Sequence, residues 1–186
     1  MEQTMKALYI LLIVLTVFAV QAKATPSVKL ELPEQLSKET LPAFTAKNRD
    51  ATKNFQKRHL EQLVEPETER IALVYFATWC KPCTEGATML RKAKKKLEKE
   101  GILIIFVNVG ERDVDVVQKW IKKHGDPDFP LIMDTRAQMV VPFGLSDSNT
   151  PIALPKTLIL DKNLKPLFLL GTEGDDFPEV LWKFNP

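Results

Sequence analysis

The chain has 186 residues, with 26 Lys and Arg against 24 Asp and Glu and a net charge of +2. That length gives one ordinary domain with a real core, and 45% hydrophobic with 27% charged residues is the composition of a soluble globular protein. A charge so near neutral excludes the strongly basic footprint of a nucleic-acid binder, which leaves the two cysteines and the first 24 residues as the informative features.

In chain order, Met1–Lys6 carries one lysine and Ala7–Val20 is almost wholly apolar. Gln21-Ala22-Lys23-Ala24 then supplies the alanines of an A-x-A site. This order predicts a secretory signal peptide over residues 1–24, cut after Ala24. The apolar run is shorter than the roughly 20 residues needed to span a bilayer, and an uncleaved membrane anchor is the alternative. With no cysteine near residue 24, an N-terminal lipidated cysteine is excluded. The expected location is the periplasm, where disulfides persist.

Residues 25–50 contain Pro26, Pro33 and Pro42 and read as an N-terminal arm. Val28, Leu30 and Leu32 alternate with charged residues and suggest one short strand in it. The main domain is expected over 51–186. Ala51–Val64 places Phe55, Leu60, Leu63 and Val64 on one helical face and predicts a helix ended by Pro66.

Ile71–Phe76 is a continuous apolar run, the mark of a buried strand. It leads straight into Cys80-Lys81-Pro82-Cys83, after which a helix runs to about Glu100 and stops at Gly101. Cys83, Ala87, Leu90, Ala93 and Leu97 form its apolar stripe. Ile102–Val109 is a second buried strand, Val114–Lys123 a helix and Phe129–Met133 a short strand. Thr157–Leu160 and Pro166–Leu170 form a hairpin, and Asp175–Phe184 a final helix. The order β-α-β-α-β-β-α predicts an α/β fold with a central mixed sheet, opened by a parallel βαβ unit.

The cysteine pair follows a buried strand and opens a helix. A helix N-terminus offers free N–H groups and a partial positive charge, which favour a thiolate; cysteines so placed have lowered pKa values. Lys81 adds a neighbouring charge, and Pro82 suits a first helical turn. Cys80 is expected to be exposed and Cys83 shielded. Three other uses of the pair compete with redox chemistry. A structural disulfide closing so short a loop removes little chain entropy. A zinc site needs two more ligands, and His59 and His124 are remote in sequence, so no metal and no cofactor are expected. Two inert thiols do not suit an oxidising compartment.

Phe76-Ala77-Thr78-Trp79-Cys80-x-Pro82-Cys83 resembles the active-site segment of the thioredoxin superfamily, in its exported TlpA-like branch. Leu154-Pro155-Lys156-Thr157 resembles the segment in which that family carries a cis proline facing the cysteines. Phe129–Asp134 is similar to the strand before it. The resemblance implies a thioredoxin fold and a protein-disulfide oxidoreductase in which Cys80 attacks a substrate disulfide and Cys83 resolves the mixed disulfide. It also implies substrate binding by Trp79, Lys81, Pro82, Leu154 and Pro155. The implied partners are disulfide-bearing proteins and a membrane electron donor, and a monomer is expected.

Two positions depart from the family's patterns. Thioredoxins proper carry a buried acid six residues before the first cysteine, where this chain has Val74. Haem-maturation members carry a glutamate three residues after the second, where this chain has Gly86. Net reduction of substrates is the expected direction; a net oxidant and a non-enzymatic binding module are the alternatives. The basic run Arg91–Lys99 reads as a solvated helix face, Trp120 and Trp182 as packing, and His124 as a helix C-terminal cation. Gly144–Ala153 reads as a surface loop that could also shape a substrate groove.

Overall fold

The computed structural model describes residues 24–33, 45–49, 55–126, 128–136, 138–146 and 151–183. Residues 1–23 of the expected signal segment 1–24 lie outside them, as do residues 147–150 of the Gly144–Ala153 loop. Among the described residues no helix is long and apolar enough to cross a membrane.

Among the described residues eight strands form one mixed sheet. They are β1 (Val28–Leu30), β2 (Thr45–Arg49), β3 (Phe55–His59), β4 (Arg70–Phe76), β5 (Ile102–Val109), β6 (Leu131–Asp134), β7 (Lys156–Asp161) and β8 (Pro166–Thr172). Their order is β1-β8-β7-β4-β5-β6-β2-β3. β4, β5 and β6 run parallel. The remaining neighbours pair antiparallel. The helices are α1 (Lys81–Lys99), α2 (Val114–His124) and α3 (Phe177–Lys183).

The central strands are apolar throughout because both faces are covered. Along β4, Ala72, Val74 and Phe76 face the core that holds α1, α2, α3 and both cysteines. Ile71, Leu73 and Tyr75 face a second core, closed by Leu60, Leu63, Met139, Val140 and Phe143. The period of two divides one apolar run between two layers. On the helical side, Trp120 stacks on Phe76 at 4.5 Å between ring centroids and meets Phe106 edge-on.

Among the described residues of the stretch 51–64, which are 55–64, the expected helix does not form. Phe55–His59 is strand β3, paired antiparallel with β2, and only Leu60–Leu63 turns, as a 3-10 helix. The three-residue turn of that helix brings residues 60 and 63 to one side. This accounts for the apolar spacing that suggested a longer helix. β2, within the stretch expected as an arm, pairs with β6 as well.

The short strand expected near Val28 is present as β1 and pairs with β8. Backbone and side-chain hydrogen bonds fasten the segment before it. Thr25 N–H donates to Asp175 Oδ2 at 2.7 Å, Ser27 N–H to Asp176 Oδ1 at 2.6 Å, and Gly174 N–H to Ser27 Oγ at 2.9 Å.

Candidate active site

β4 ends at Phe76, and four residues later α1 begins. Cys80 is the N-cap of α1: its backbone is extended (φ −79°, ψ 104°), and its Sγ accepts a hydrogen bond from Cys83 N–H at 3.2 Å. Pro82 occupies the first turn, where a missing N–H costs nothing. At the other end Gly101 adopts φ +65°, and a Cβ there would press on Glu67 O at 2.8 Å. Cys83, Gly86, Ala87, Leu90 and Leu97 are the buried stripe that seats α1 on the sheet.

Cys80 and Cys83 are joined as a disulfide, with their Cα atoms 5.3 Å apart. Cys80 is not exposed as expected: it is 4% accessible, against 3% for Cys83. The bond to Cys83 and the N-cap hydrogen bond draw its sulfur inward over the first turn. The exposed feature is Trp79, 75% accessible, flanked by exposed Lys81 and Pro82. The surface around the pair is thus an indole, one lysine and a proline over a buried disulfide.

The Leu154–Pro155 bond is cis. Pro155 is buried, and Leu154 packs against the apolar cluster that contains both cysteines. Lys156 next to it is partly buried, and that burial lowers its pKa.

Two acids missed by sequence reasoning support the pair. Glu111, beyond the end of β5, accepts from Thr78 N–H at 2.8 Å, from the Thr78 hydroxyl, and from Asn108 Nδ2 at 2.6 Å. This one carboxylate fixes the strand-to-helix link two residues before Cys80. The second is Glu173, directly after β8. Its Oε1 accepts from the Thr157 hydroxyl at 2.8 Å, and its Oε2 is buried without a hydrogen-bond partner. The residue keeps part of its surface in water, but the carboxylate head does not. Burial pushes its pKa from 4.5 up to about 8, against a smaller lowering by the Thr157 hydroxyl. A Cβ on Gly86 would collide with this carboxylate.

The remaining candidates fall elsewhere. Lys94 is held by Asp128 at 2.8 Å and Asp126 at 3.3 Å, Lys96 by Glu100 at 2.6 Å, and Arg91 donates to Lys123 O at 3.0 Å. Arg91, Lys94 and Lys96 are thus engaged by their own surroundings, while Lys92, Lys95 and Lys99 lie on the exposed face of α1. His59 is the N-cap of the 3-10 turn. His124 has its pKa lowered by burial, then by Lys123 and Arg91, so these offset the helix C-terminus expected to favour its cation. Among the described residues no group of His, Cys, Asp and Glu is placed to hold a metal.

The family model described as AhpC/TSA matches residues 38–165, more than half of the chain. The chain belongs to the AhpC/TSA family. This family is part of the thioredoxin superfamily, in keeping with the fold described above. The AhpC/TSA chain is 30% identical over 104 residues to the thiol-disulfide oxidoreductase ResA of Geobacillus thermodenitrificans, covering 56% of this chain and 55% of that protein. It spans about half the length of the curated relatives it matches. Its fold is also that of the thioredoxin domain of a thiol-disulfide oxidoreductase from Bacteroides vulgatus (TM-score 0.60, 16% identical, 80% of this chain and 96% of that one). A secreted thiol-disulfide isomerase from Corynebacterium glutamicum is similar to the same degree (TM-score 0.60, 18% identical, 84% and 95%).

Proposed function

We propose that the chain is an exported protein-disulfide oxidoreductase that reduces disulfides in substrate proteins. The observation that carries this is the Cys80–Cys83 disulfide at the N-terminus of α1, set under an exposed Trp79. A three-residue separation makes a poor staple, because a short loop frees little entropy when closed. It makes a good two-electron switch, because both sulfurs stay within bonding reach.

In the reduced enzyme the Cys80 thiolate attacks one sulfur of a substrate disulfide, forming a mixed disulfide and releasing the other sulfur as a thiolate that takes up a proton. Cys83 loses its proton and attacks Cys80 Sγ. The enzyme disulfide forms and the second substrate thiol leaves. Two electrons and two protons pass from the enzyme dithiol to the substrate. Trp79, Lys81 and Pro82 form the docking surface, while Leu154 and Pro155 hold the substrate chain in strand-like pairing. An electron donor in the membrane regenerates the dithiol, and a signal peptide cut after Ala24 delivers the enzyme to the periplasm. The name ResA thiol-disulfide oxidoreductase, carried by the matched relatives, supports the chemistry.

The surroundings favour reduction over oxidation. An oxidant needs a strongly stabilised Cys80 thiolate. Lys81 is exposed, and its charge is screened by water. Val74 shares the apolar layer of both cysteines, and an apolar layer disfavours a thiolate. A glutathione redox titration followed by tryptophan fluorescence tests the direction. A potential well below the DsbA value of about −120 mV, with insulin reduced in the presence of dithiothreitol, is expected. A value near −120 mV would reassign the protein as an oxidant, and a pair that dithiothreitol fails to reduce would make it a binding module.

A further inference from the structure

Glu173 is a buried acid whose place in the fold no packing need explains. Its Oε1 is spoken for by Thr157, but Oε2 is buried with no partner. Leaving such a group unpaired costs desolvation free energy, and an apolar residue would avoid the cost.

The position of that free oxygen is informative. It fills the space where a side chain on Gly86 would stand. Gly86 lies three residues after Cys83, both are buried, and both belong to the stripe that α1 turns to the sheet. Positions three apart on a helix hold their Cβ atoms about 5–6 Å from each other on one face. The free oxygen of Glu173 therefore stands about one helical turn from Cys83, on the same buried face of α1, a span that a single bridging water covers. Thr157 completes the placement. It is the β7 partner of Val74 on β4, so its hydroxyl projects on the face of the sheet that Val74 shares with the cysteines.

Other charged groups turn away. Glu85 on α1 and Glu179 on α3 are exposed, and Lys156 precedes Thr157 on β7 and so projects on the opposite face. Asp175 and Asp176 are bound to the N–H groups of Thr25 and Ser27. The arm so fastened lies across Gly174, where a Cβ would strike Thr25 O and Ser27 N, and it covers the position beside Glu173.

We propose that Glu173 is the proton acceptor for Cys83. When Cys83 resolves the mixed disulfide, its thiol proton passes to the Glu173 carboxylate. The new thiolate attacks Cys80 Sγ, the substrate sulfur leaves with the bonding pair, and Glu173 returns the proton through solvent to that leaving thiolate. In reverse, protonated Glu173 gives its proton to Cys83 as the disulfide opens. The glycine at 86 is what makes room for the acid. A pKa near 8 for the unpaired carboxylate matches the range in which a thiol is deprotonated. This role rests on disulfide exchange by the pair, but not on its direction.

The test is the reaction of the reduced full chain with the chromogenic disulfide 5,5′-dithiobis(2-nitrobenzoate), followed by stopped flow. Attack by Cys80 releases one thionitrobenzoate, and resolution by Cys83 releases the second. Glu173→Gln should leave the first release unchanged and slow the second on the order of 100-fold, the lower end of what a positioned acid or base contributes. In the wild type the ratio of second to first rate should rise through an inflection near pH 8, a readout that holds even if the variant folds poorly. An unchanged second release, equal slowing of both, or a wild-type ratio flat with pH would each overturn the role of Glu173. Absence of both releases from the wild type would overturn the exchange reading itself, and Glu173's role with it.

Discussion

Glu111 accepts both the N–H and the hydroxyl of Thr78, and so ties the link before Cys80 to the end of β5. The same carboxylate takes the Nδ2 hydrogen of the fully buried Asn108. Glu111→Ala leaves these donors without a partner. Hydrogen bonds to charged groups contribute about 1.5–3 kcal/mol. The variant should lose about 2–3 kcal/mol in denaturant unfolding, and Glu111→Gln, which still accepts, should recover part of that loss.

Glu173 gives stability a pH dependence of definite sign. Its pKa is about 8 when folded, against an ordinary 4.5. Between those values the folded protein holds a proton that the unfolded chain has released. Stability therefore falls as pH rises from about 4.5 to 8, and the loss is complete above 8. The full difference corresponds to about 5 kcal/mol by linkage, an upper figure because the chain can relax. Glu173→Gln should flatten this slope in denaturant unfolding of the oxidised protein. A variant that keeps the wild-type slope would place the titration elsewhere.

Gly86 and Glu173 compete for one volume. Gly→Ala inside a helix ordinarily stabilises by up to about 1 kcal/mol. Here Gly86→Ala should instead cost about 1–3 kcal/mol, as overpacking does. In a Glu173→Ala background the same substitution should become stabilising. That reversal of sign in a double-mutant cycle is the measurement.

Much of this fold is legible in the sequence. β4 and β5 are continuous apolar runs because both of their faces are covered, and α1 stops at Gly101 where expected. The cysteine pair and the Pro155 segment stand out through their motifs. Less legible are β2 and β3, whose sequences TAKNR and FQKRH carry no alternation that marks a strand. They are held by backbone pairing at one end of the sheet, where β3 is the edge strand and polar residues are common. Glu111 and Glu173 belong to no motif. Only the ends of β5 and β8 bring them to the pair, and the one hint in sequence is the glycine at 86.

Trp79 is the largest exposed apolar side chain beside the pair. Trp79→Ala should leave stability within about 0.5 kcal/mol and leave the reaction with a small aromatic disulfide nearly unchanged. Reduction of insulin should weaken through KM. Equal loss with both substrates would show that Trp79 acts on the sulfur chemistry rather than on docking.

The central claim is that Cys80 and Cys83 exchange disulfides with other proteins, with Cys80 attacking and Cys83 resolving. The direct measurement is trapping: Cys83→Ser and Cys80→Ser forms, expressed in the producing cell, are acid-quenched, alkylated and run on non-reducing gels. Cys83→Ser should accumulate dithiothreitol-sensitive mixed disulfides with other proteins, and Cys80→Ser should accumulate almost none. Adducts on Cys80→Ser alone would reverse the two roles, and adducts on neither would contradict the account.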